Sequence, residues 1–83
     1  MYDMTILIVD DEPGVRSSLK GSLEDEGFKV FTASSGEEGL EQMQKIRPDI
    51  VLLDVLMPGI DGIETLRRIK ASGSDAAVIM ISG

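Results

Sequence analysis

Unbroken runs of apolar residues mark the strands of this chain. Thr5–Val9 and residues 50–53 are apolar on both faces, and each run stops at an aspartate. Ala77–Ile81 is a third such run, and residues 28–33 form a more amphipathic one. Runs without alternation are typical of strands that are covered on both sides, as in parallel sheets. The pattern therefore predicts four strands in a parallel sheet.

A helical pattern follows the first strand. Pro13 suits the first position of a helix, and Gly27 suits the position just after its end. Between them, apolar residues recur at every fourth position, namely Val15, Leu19 and Leu23. This spacing predicts one amphipathic helix between the first two strands.

Two more helices are predicted by their start signals. Ser35 and Glu38 have the spacing of a capping box, and Pro48 follows the end of that helix. Asp61, with Glu64 three residues later, is the predicted N-cap of the third helix. Each helix has three apolar residues predicted to face inward: Leu40, Met43 and Ile46 in the second, and Ile63, Leu66 and Ile69 in the third.

Strands and helices thus alternate in the order β-α-β-α-β-α-β. A chain of 83 residues has room for one domain, so residues 1–83 are predicted to form a single unit. The alternation implies right-handed crossovers and an α/β fold with a doubly wound parallel sheet. Ligands of such sheets bind at the carboxyl ends of the strands, which directs attention to the residues that follow each strand.

The composition narrows the possible chemistry. The chain has no cysteine and no histidine, which excludes disulfides, cysteine-ligated metals, thiol nucleophiles and a phosphohistidine on this chain itself. A net charge of -7 argues against direct binding to nucleic acid or an anionic membrane, and it favours a cation or a basic partner. The sequence has no recognisable signal peptide or membrane-spanning run, so we expect a cytoplasmic location.

Polar residues follow three of the apolar strands. Asp10 and Asp11 come directly after the first, Asp54 after the third, and Ser82 after the fourth. If the first and third strands are neighbours, three carboxylates crowd one rim, where their mutual repulsion is relieved by a divalent cation. Oxygen ligands with several carboxylates favour Mg²⁺. The alternative is that each aspartate is only a solvated strand end or a helix cap.

A carboxylate site that holds a metal ion admits two chemistries. Asp54 either serves only as a ligand or attacks a phosphorus centre as a nucleophile. Ser82 is placed to supply a hydroxyl to the same site, the alternative being an ordinary turn at the end of a strand.

Three segments together resemble the receiver domain of two-component response regulators, which has a flavodoxin-like fold: ILIVDDE at 6–12, DVLMPGIDG at 54–62 and IMISG at 79–83. The resemblance implies that Asp54 accepts a phosphoryl group from the phosphohistidine of a sensor histidine kinase. It implies that Mg²⁺ is bound directly by Asp11, Asp54 and the carbonyl of Leu56, and by Asp10 through water. Ser82 would be the switch hydroxyl. Such a domain is a phosphoacceptor that catalyses only its own phosphoryl transfer and regulates an attached output domain, for which transcriptional control is the expectation by analogy.

One departure from the family is large. Receivers of this kind have five strand–helix units, and the last helix-strand-helix, with its phosphate-binding lysine, has no counterpart here. None of Lys20, Lys29, Lys45 and Lys70 follows a strand, so none is an obvious substitute. The sequence therefore reads as a partial receiver. We expect it to form a homo-oligomer through strand four and the uncovered sheet face beside helix one. The alternative function is a structural, dimerising unit that cannot be phosphorylated.

Two other classes fit the residues less well. Phosphatases with an aspartyl nucleophile resemble this site, but they place a second acid two residues after the nucleophile, where this chain has Leu56. A flavin or nucleotide binder would need a phosphate-binding loop after the first strand, whereas the acids at 10–12 would repel phosphate.

Overall fold

A computed structural model of the chain describes residues 4–82. Its elements are β1 (Thr5–Val9), α1 (Pro13–Asp25), β2 (Lys29–Ala33), α2 (Gly36–Ile46), β3 (Ile50–Asp54), α3 (Gly62–Ala71) and β4 (Ala77–Ile81). Every strand pairs in parallel with its neighbours, and the sheet order is β2-β1-β3-β4. The predicted α/β fold is confirmed, and β1 and β3 are adjacent as the predicted acid cluster requires.

Helices cover both faces of the sheet, which produces two separate cores. The core under α2 and α3 contains Leu7, Val9, Ala33, Met43, Val51, Leu53, Met57, Ile69 and Ala76. The core under α1 is smaller and contains Ile6, Ile8 and Val30, with Leu19 and Leu23 of the helix partly buried against it. Alternate residues of β1 thus point into opposite cores, which explains why this strand is apolar on both faces.

The predicted helix caps are present, with one difference in the second helix. The side chains of Ser35 and Asp61 accept hydrogen bonds from the backbone N–H groups of Glu38 and Glu64 at 3.0 and 2.9 Å. A reciprocal capping box would return the Glu38 side chain to the Ser35 N–H. Instead, Glu38 Oε1 accepts from the N–H and hydroxyl of Ser34, at 2.6 and 2.9 Å. Glu38 therefore ties α2 to the end of β2.

The prediction that Ile63 faces inward was wrong, because 53% of its surface is exposed. The predictions for the other two residues are confirmed, since Ile69 is buried and Leu66 packs against the core. Gly62 and Thr65 are also buried, and with Ile69 they have the three- and four-residue spacing of one helix face. Thr65 can be fully buried because its hydroxyl donates to the carbonyl of Asp61 at 2.8 Å. In the first turn of α3 it is Gly62 that packs against the end of β3, so Ile63 points to solvent.

The remaining boundaries agree closely with the sequence. β2 begins one residue later than predicted, at Lys29, and β3 includes Asp54 itself. The predictions for residues 1–3 and for Gly83 lie outside the described residues. Within residues 4–82, no helix combines the length and the hydrophobicity that crossing a membrane requires.

Candidate functional site

Three aspartates meet at the carboxyl ends of β1 and β3. The two strands pair with Val9 opposite Leu53, so the residues that follow them, Asp10 and Asp54, reach the same rim. Carboxylate oxygens of Asp10, Asp11 and Asp54 all lie within 4.8 Å of one another. Asp10 is only 4% exposed and Asp54 only 7%, whereas Asp11 is more accessible to solvent. The cluster is therefore a compact acidic site that opens to water on one side.

Backbone groups orient the two buried carboxylates. Asp10 Oδ1 accepts from the N–H of Glu12 at 2.9 Å, and Asp54 Oδ1 accepts from the N–H of Leu56 at 3.2 Å. The N–H of Asp10 donates to the carbonyl of Ala33 on β2 at 3.1 Å. Each of these two aspartates thus has one carboxylate oxygen oriented by its own loop.

Gly62 holds the loop after Asp54 against the end of β3. Its N–H donates to the carbonyl of Val55 at 3.0 Å. A β-carbon at Gly62 would collide with the carbonyl oxygen of Asp54 and would lie 2.7 Å from the Cα of Val55. Because both of these are backbone atoms, they cannot move aside without displacing Asp54. The close approach therefore requires glycine here.

The pKa of Asp54 is raised above the ordinary value for aspartate. The main cause is burial, which disfavours the charged form, and the nearby carboxylates of Asp10 and Asp11 add to it. The hydrogen bond from the Leu56 N–H acts in the opposite direction. Folding without a cation thus works against the ionised form of Asp54.

This raised pKa predicts a dependence of stability on pH in the absence of metal. The folded chain holds the Asp54 proton more tightly than the unfolded chain, so the free energy of unfolding should fall as pH rises from the ordinary aspartate pKa through the raised one. Asp54→Asn should remove this fall and raise the melting temperature at neutral pH. This dependence on pH is measured by thermal unfolding in the presence of a chelator. Asp75→Asn, on the surface, is the control. A less stable Asp54→Asn would contradict the prediction.

The structure brings Ser82 and Leu56 to the edge of the same site. They line a cleft of about 310 Å³ together with Asp10 and Asp54. A hydrogen bond of 3.0 Å from the Val55 N–H to the carbonyl of Ile81 places the end of β4 beside the end of β3. Ser82 is exposed, and the side chain of Leu56 is 75% exposed, which leaves the cleft accessible. The roles assigned to these two residues remain predictions.

The donor set fits a hard divalent cation. None of the ion pairs among residues 4–82 involves the three aspartates, so no side chain neutralises them by direct pairing. All the available donors are oxygens, and three carboxylates with open positions for water match the preference of Mg²⁺. Mutual repulsion and burial, the causes that raise the pKa of Asp54, are those that a bound cation would offset.

Sequence reasoning missed two residues near the site. Arg16 donates a hydrogen bond to the carbonyl of Asp10 at 2.7 Å. Glu37, in the first turn of α2, approaches the loop after Asp54 and accepts from the N–H of Ile60 at 3.4 Å. A signal for Arg16 exists, since it is a basic residue one helical turn into α1 beside an acidic cluster. No pattern in the sequence indicates the contact of Glu37.

Comparison with known proteins agrees with this geometry. The family model for the response regulator receiver domain matches residues 6–83. Among curated relatives, sporulation initiation phosphotransferase F of Bacillus subtilis is 43% identical over 82 residues, which cover 99% of this chain and 66% of that protein. Response regulator MprA of Mycobacterium leprae is 42% identical over 79 residues, which cover 95% of this chain and 35% of that protein.

A solved structure of a response regulator is also similar to this chain. The response regulator TrrA of Thermotoga maritima, in complex with Mg²⁺ and BeF, superposes with a TM-score of 0.90 and 42% sequence identity. The alignment covers 95% of this chain and 69% of TrrA. The chain therefore spans only part of these relatives, about a third in the case of MprA. Since the family match runs from residue 6 to residue 83, the chain belongs to the response regulator receiver domain family.

Proposed function

We propose that this chain is the phosphoacceptor module of a two-component phosphorelay, with Asp54 as the residue that receives the phosphoryl group. The observation that carries the proposal is the cluster of Asp10, Asp11 and Asp54 within 4.8 Å at adjacent strand ends. Asp54 is the member at the end of β3, one of the two inner strands of the sheet, and it lines the same cleft as Ser82. Membership of the receiver family supports the same assignment.

The proposed step forms one bond and breaks one bond. A carboxylate oxygen of Asp54 attacks the phosphorus of a phosphohistidine on a partner kinase. The new O–P bond forms as the N–P bond breaks, and the electron pair of that bond returns to the imidazole nitrogen, which takes up a proton. The chain thus promotes only its own modification.

The neighbouring residues have separate proposed roles. Asp11, Asp54 and the carbonyl of Leu56 would hold Mg²⁺, and Asp10 would act through water. The cation would neutralise the phosphoryl oxygens in the transition state. The hydroxyl of Ser82 would close on the phosphoryl group after transfer and so report the modified state to the rest of the protein. The structure of TrrA in complex with Mg²⁺ and BeF supports the choice of cation.

The partners and location are proposed by analogy with relatives. A sensor histidine kinase would supply the phosphoryl group, as the receiver family implies. A further relative, AfsQ1 of Streptomyces coelicolor, is 46% identical over 66 residues and is named a transcriptional regulatory protein. An attached output domain that controls transcription is therefore proposed here too. Direct binding of this domain to nucleic acid is not proposed, because its net charge is -7. A cytoplasmic location accords with these partners.

The test is labelling with a small phosphodonor such as acetyl phosphate, which removes the need for the kinase. We expect Mg²⁺-dependent incorporation of phosphate into the wild type and none into Asp54→Asn. Asp61→Asn is the matched control, since asparagine caps a helix as well as aspartate does, so this variant should be labelled. Loss of a group that stabilises transition-state charge commonly slows a reaction by about 10²–10³-fold, so long incubations are needed without a phosphate-binding lysine. Equal labelling of Asp54→Asn and wild type would reject the proposal.

A structural, dimerising role is the second candidate. Within residues 4–82, β4 pairs with β3 on one edge and with no strand on the other. Ile79 on this strand is 50% exposed, although it is apolar. Pairing of two copies supplies hydrogen-bond partners to the backbone groups of the exposed strand edge and buries apolar surface. We therefore expect the 83-residue polypeptide to be a dimer or larger through β4 and the sheet face that carries α1. A folded monomer in sedimentation equilibrium at micromolar concentration would contradict this.

A further inference from the structure

Arg16 lies beside the acidic cluster but does not pair with it. The residue is in the first turn of α1 and is half-buried. Its Nη1 atom donates to the backbone carbonyl of Asp10 at 2.7 Å. None of the ion pairs within residues 4–82 includes Arg16. A cation next to three carboxylates thus bonds a neutral carbonyl, which leaves the carboxylate oxygens available for another ligand.

Hydrogen bonds hold Asp10 at three points. Its N–H donates to the carbonyl of Ala33, and its Oδ1 accepts from the N–H of Glu12. Its carbonyl accepts from Arg16. Of these three bonds, the one from Arg16 has a side-chain donor, and the one to Ala33 and the one from Glu12 have backbone N–H donors. Because its donor is charged, the Arg16 bond is stronger than a neutral bond such as the one to Ala33, so Arg16 restrains the turn in which Asp10 leaves β1.

A second acidic residue, Glu38 of α2, interacts electrostatically with Arg16. The carboxylate of Glu38 is fixed by the N–H and hydroxyl of Ser34. The pKa of Glu38 is lowered first by these two bonds and also by the positive charge of Arg16. The positive charge of Arg16 thus favours the ionised form of Glu38, although the two side chains form no ion pair within residues 4–82. Through its bond to the Asp10 carbonyl, Arg16 connects the first turn of α1 to the strand end that carries the site.

We propose that Arg16 is a positioning residue for the cation site, acting through the backbone of Asp10 to aim its carboxylate towards Asp11 and Asp54. This inference rests on the proposed function only for the identity of the cation. The role of Arg16 is unusual for a positive charge near a cation site, because direct repulsion alone would weaken the binding of Mg²⁺. We therefore expect removal of Arg16 to weaken the binding of Mg²⁺, whereas electrostatic repulsion alone predicts that its removal strengthens binding.

The experiment compares Mg²⁺ affinities by titration calorimetry in three variants of the 83-residue chain. Arg16→Met removes the donor and keeps most of the stem, and Arg16→Lys keeps a charge and a single donor. Lys20→Met is the matched control, since Lys20 lies on the same helix, is exposed and its removal changes the net charge equally. Removal of groups that orient metal ligands typically weakens metal binding by about 10–100-fold, and we expect about tenfold for Arg16→Met. Arg16→Lys should bind close to the wild-type affinity.

Amide hydrogen exchange without Mg²⁺ provides a second readout. Exchange at the Asp10 and Glu12 amides should be faster in Arg16→Met than in Lys20→Met, while exchange in the core of β3 should not change. If Arg16→Met does not fold, Arg16→Gln takes its place in both measurements. Binding of Mg²⁺ as tight as in Lys20→Met, or tighter, would overturn the proposal. If the wild type binds no Mg²⁺, the proposed cation fails, and unchanged exchange at Asp10 and Glu12 would then overturn the role of Arg16 independently.

Discussion

Gly62→Ala is expected to destabilise the folded chain by about 3 kcal/mol, the upper part of the range for overpacking a tightly filled site. The cause is steric, because Gly62 does not adopt a positive φ. The added methyl would meet the carbonyl oxygen of Asp54 and the Cα of Val55. Relief of these contacts requires either a shift of α3 or a shift of the backbone that carries Asp54. The variant should therefore lose both stability and the geometry of the acidic cluster.

Gly21→Ala is the matched control for this prediction. Gly21 lies inside α1, and a β-carbon there would have no neighbour within 4 Å. Alanine is favoured over glycine in the interior of a helix by about 0.5–1 kcal/mol, so this variant should be more stable than the wild type. Denaturant unfolding of both variants gives the two free energies. A Gly62→Ala variant as stable as wild type would show that the contact between α3 and β3 is not tight.

Asp11→Ala is expected to abolish Mg²⁺ binding with little change in the stability of the metal-free chain. Asp11 is the most accessible of the three aspartates, so its removal opens no cavity in the core. A ligand present at 100 times its dissociation constant stabilises the folded state by about 2.7 kcal/mol. The wild type should gain this amount on addition of saturating Mg²⁺, and Asp11→Ala should gain nothing.

Asp25→Ala separates the loss of a ligand from the loss of a charge. Asp25 is exposed at the end of α1, away from the strand ends, and its removal changes the net charge by the same amount. This control should keep the full increase in melting temperature with Mg²⁺. Equal Mg²⁺ responses in Asp11→Ala and Asp25→Ala would mean that the cation binds elsewhere or only by general attraction to an acidic chain.

The sequence was most informative where one residue type has one common structural use. Unbroken apolar runs that end in aspartate predicted the strands and the rim on which Asp10 and Asp54 meet, because parallel strands bring their carboxyl ends to one edge. Ser35 and Asp61 were predictable as caps, because a helix N-terminus needs local acceptors. The caps depend on neighbours a few residues away, and the rim depends only on the parallel pairing of the strands.

Features that depend on how particular segments pack together were not predictable. Ile63 faces solvent because Gly62 and Thr65 occupy the inner face of α3, and their fit depends on packing against the end of β3 and against Gly36 of α2. The partner of Arg16 is a backbone carbonyl, and because every residue has one, the sequence does not indicate which carbonyl it bonds. Nor does the sequence indicate that a β-carbon at Gly62 would meet the backbone of Asp54.

The most direct test of the central claim is chemical mapping of the phosphorylated residue. The chain is treated with acetyl phosphate and Mg²⁺, and the acyl phosphate is then reduced with borohydride, which releases phosphate and converts the modified aspartate to homoserine. Peptide mass spectrometry identifies the position. The account predicts homoserine at position 54, dependent on Mg²⁺ and absent in Asp54→Asn. Homoserine at position 10 or 11, with position 54 unchanged, would contradict it.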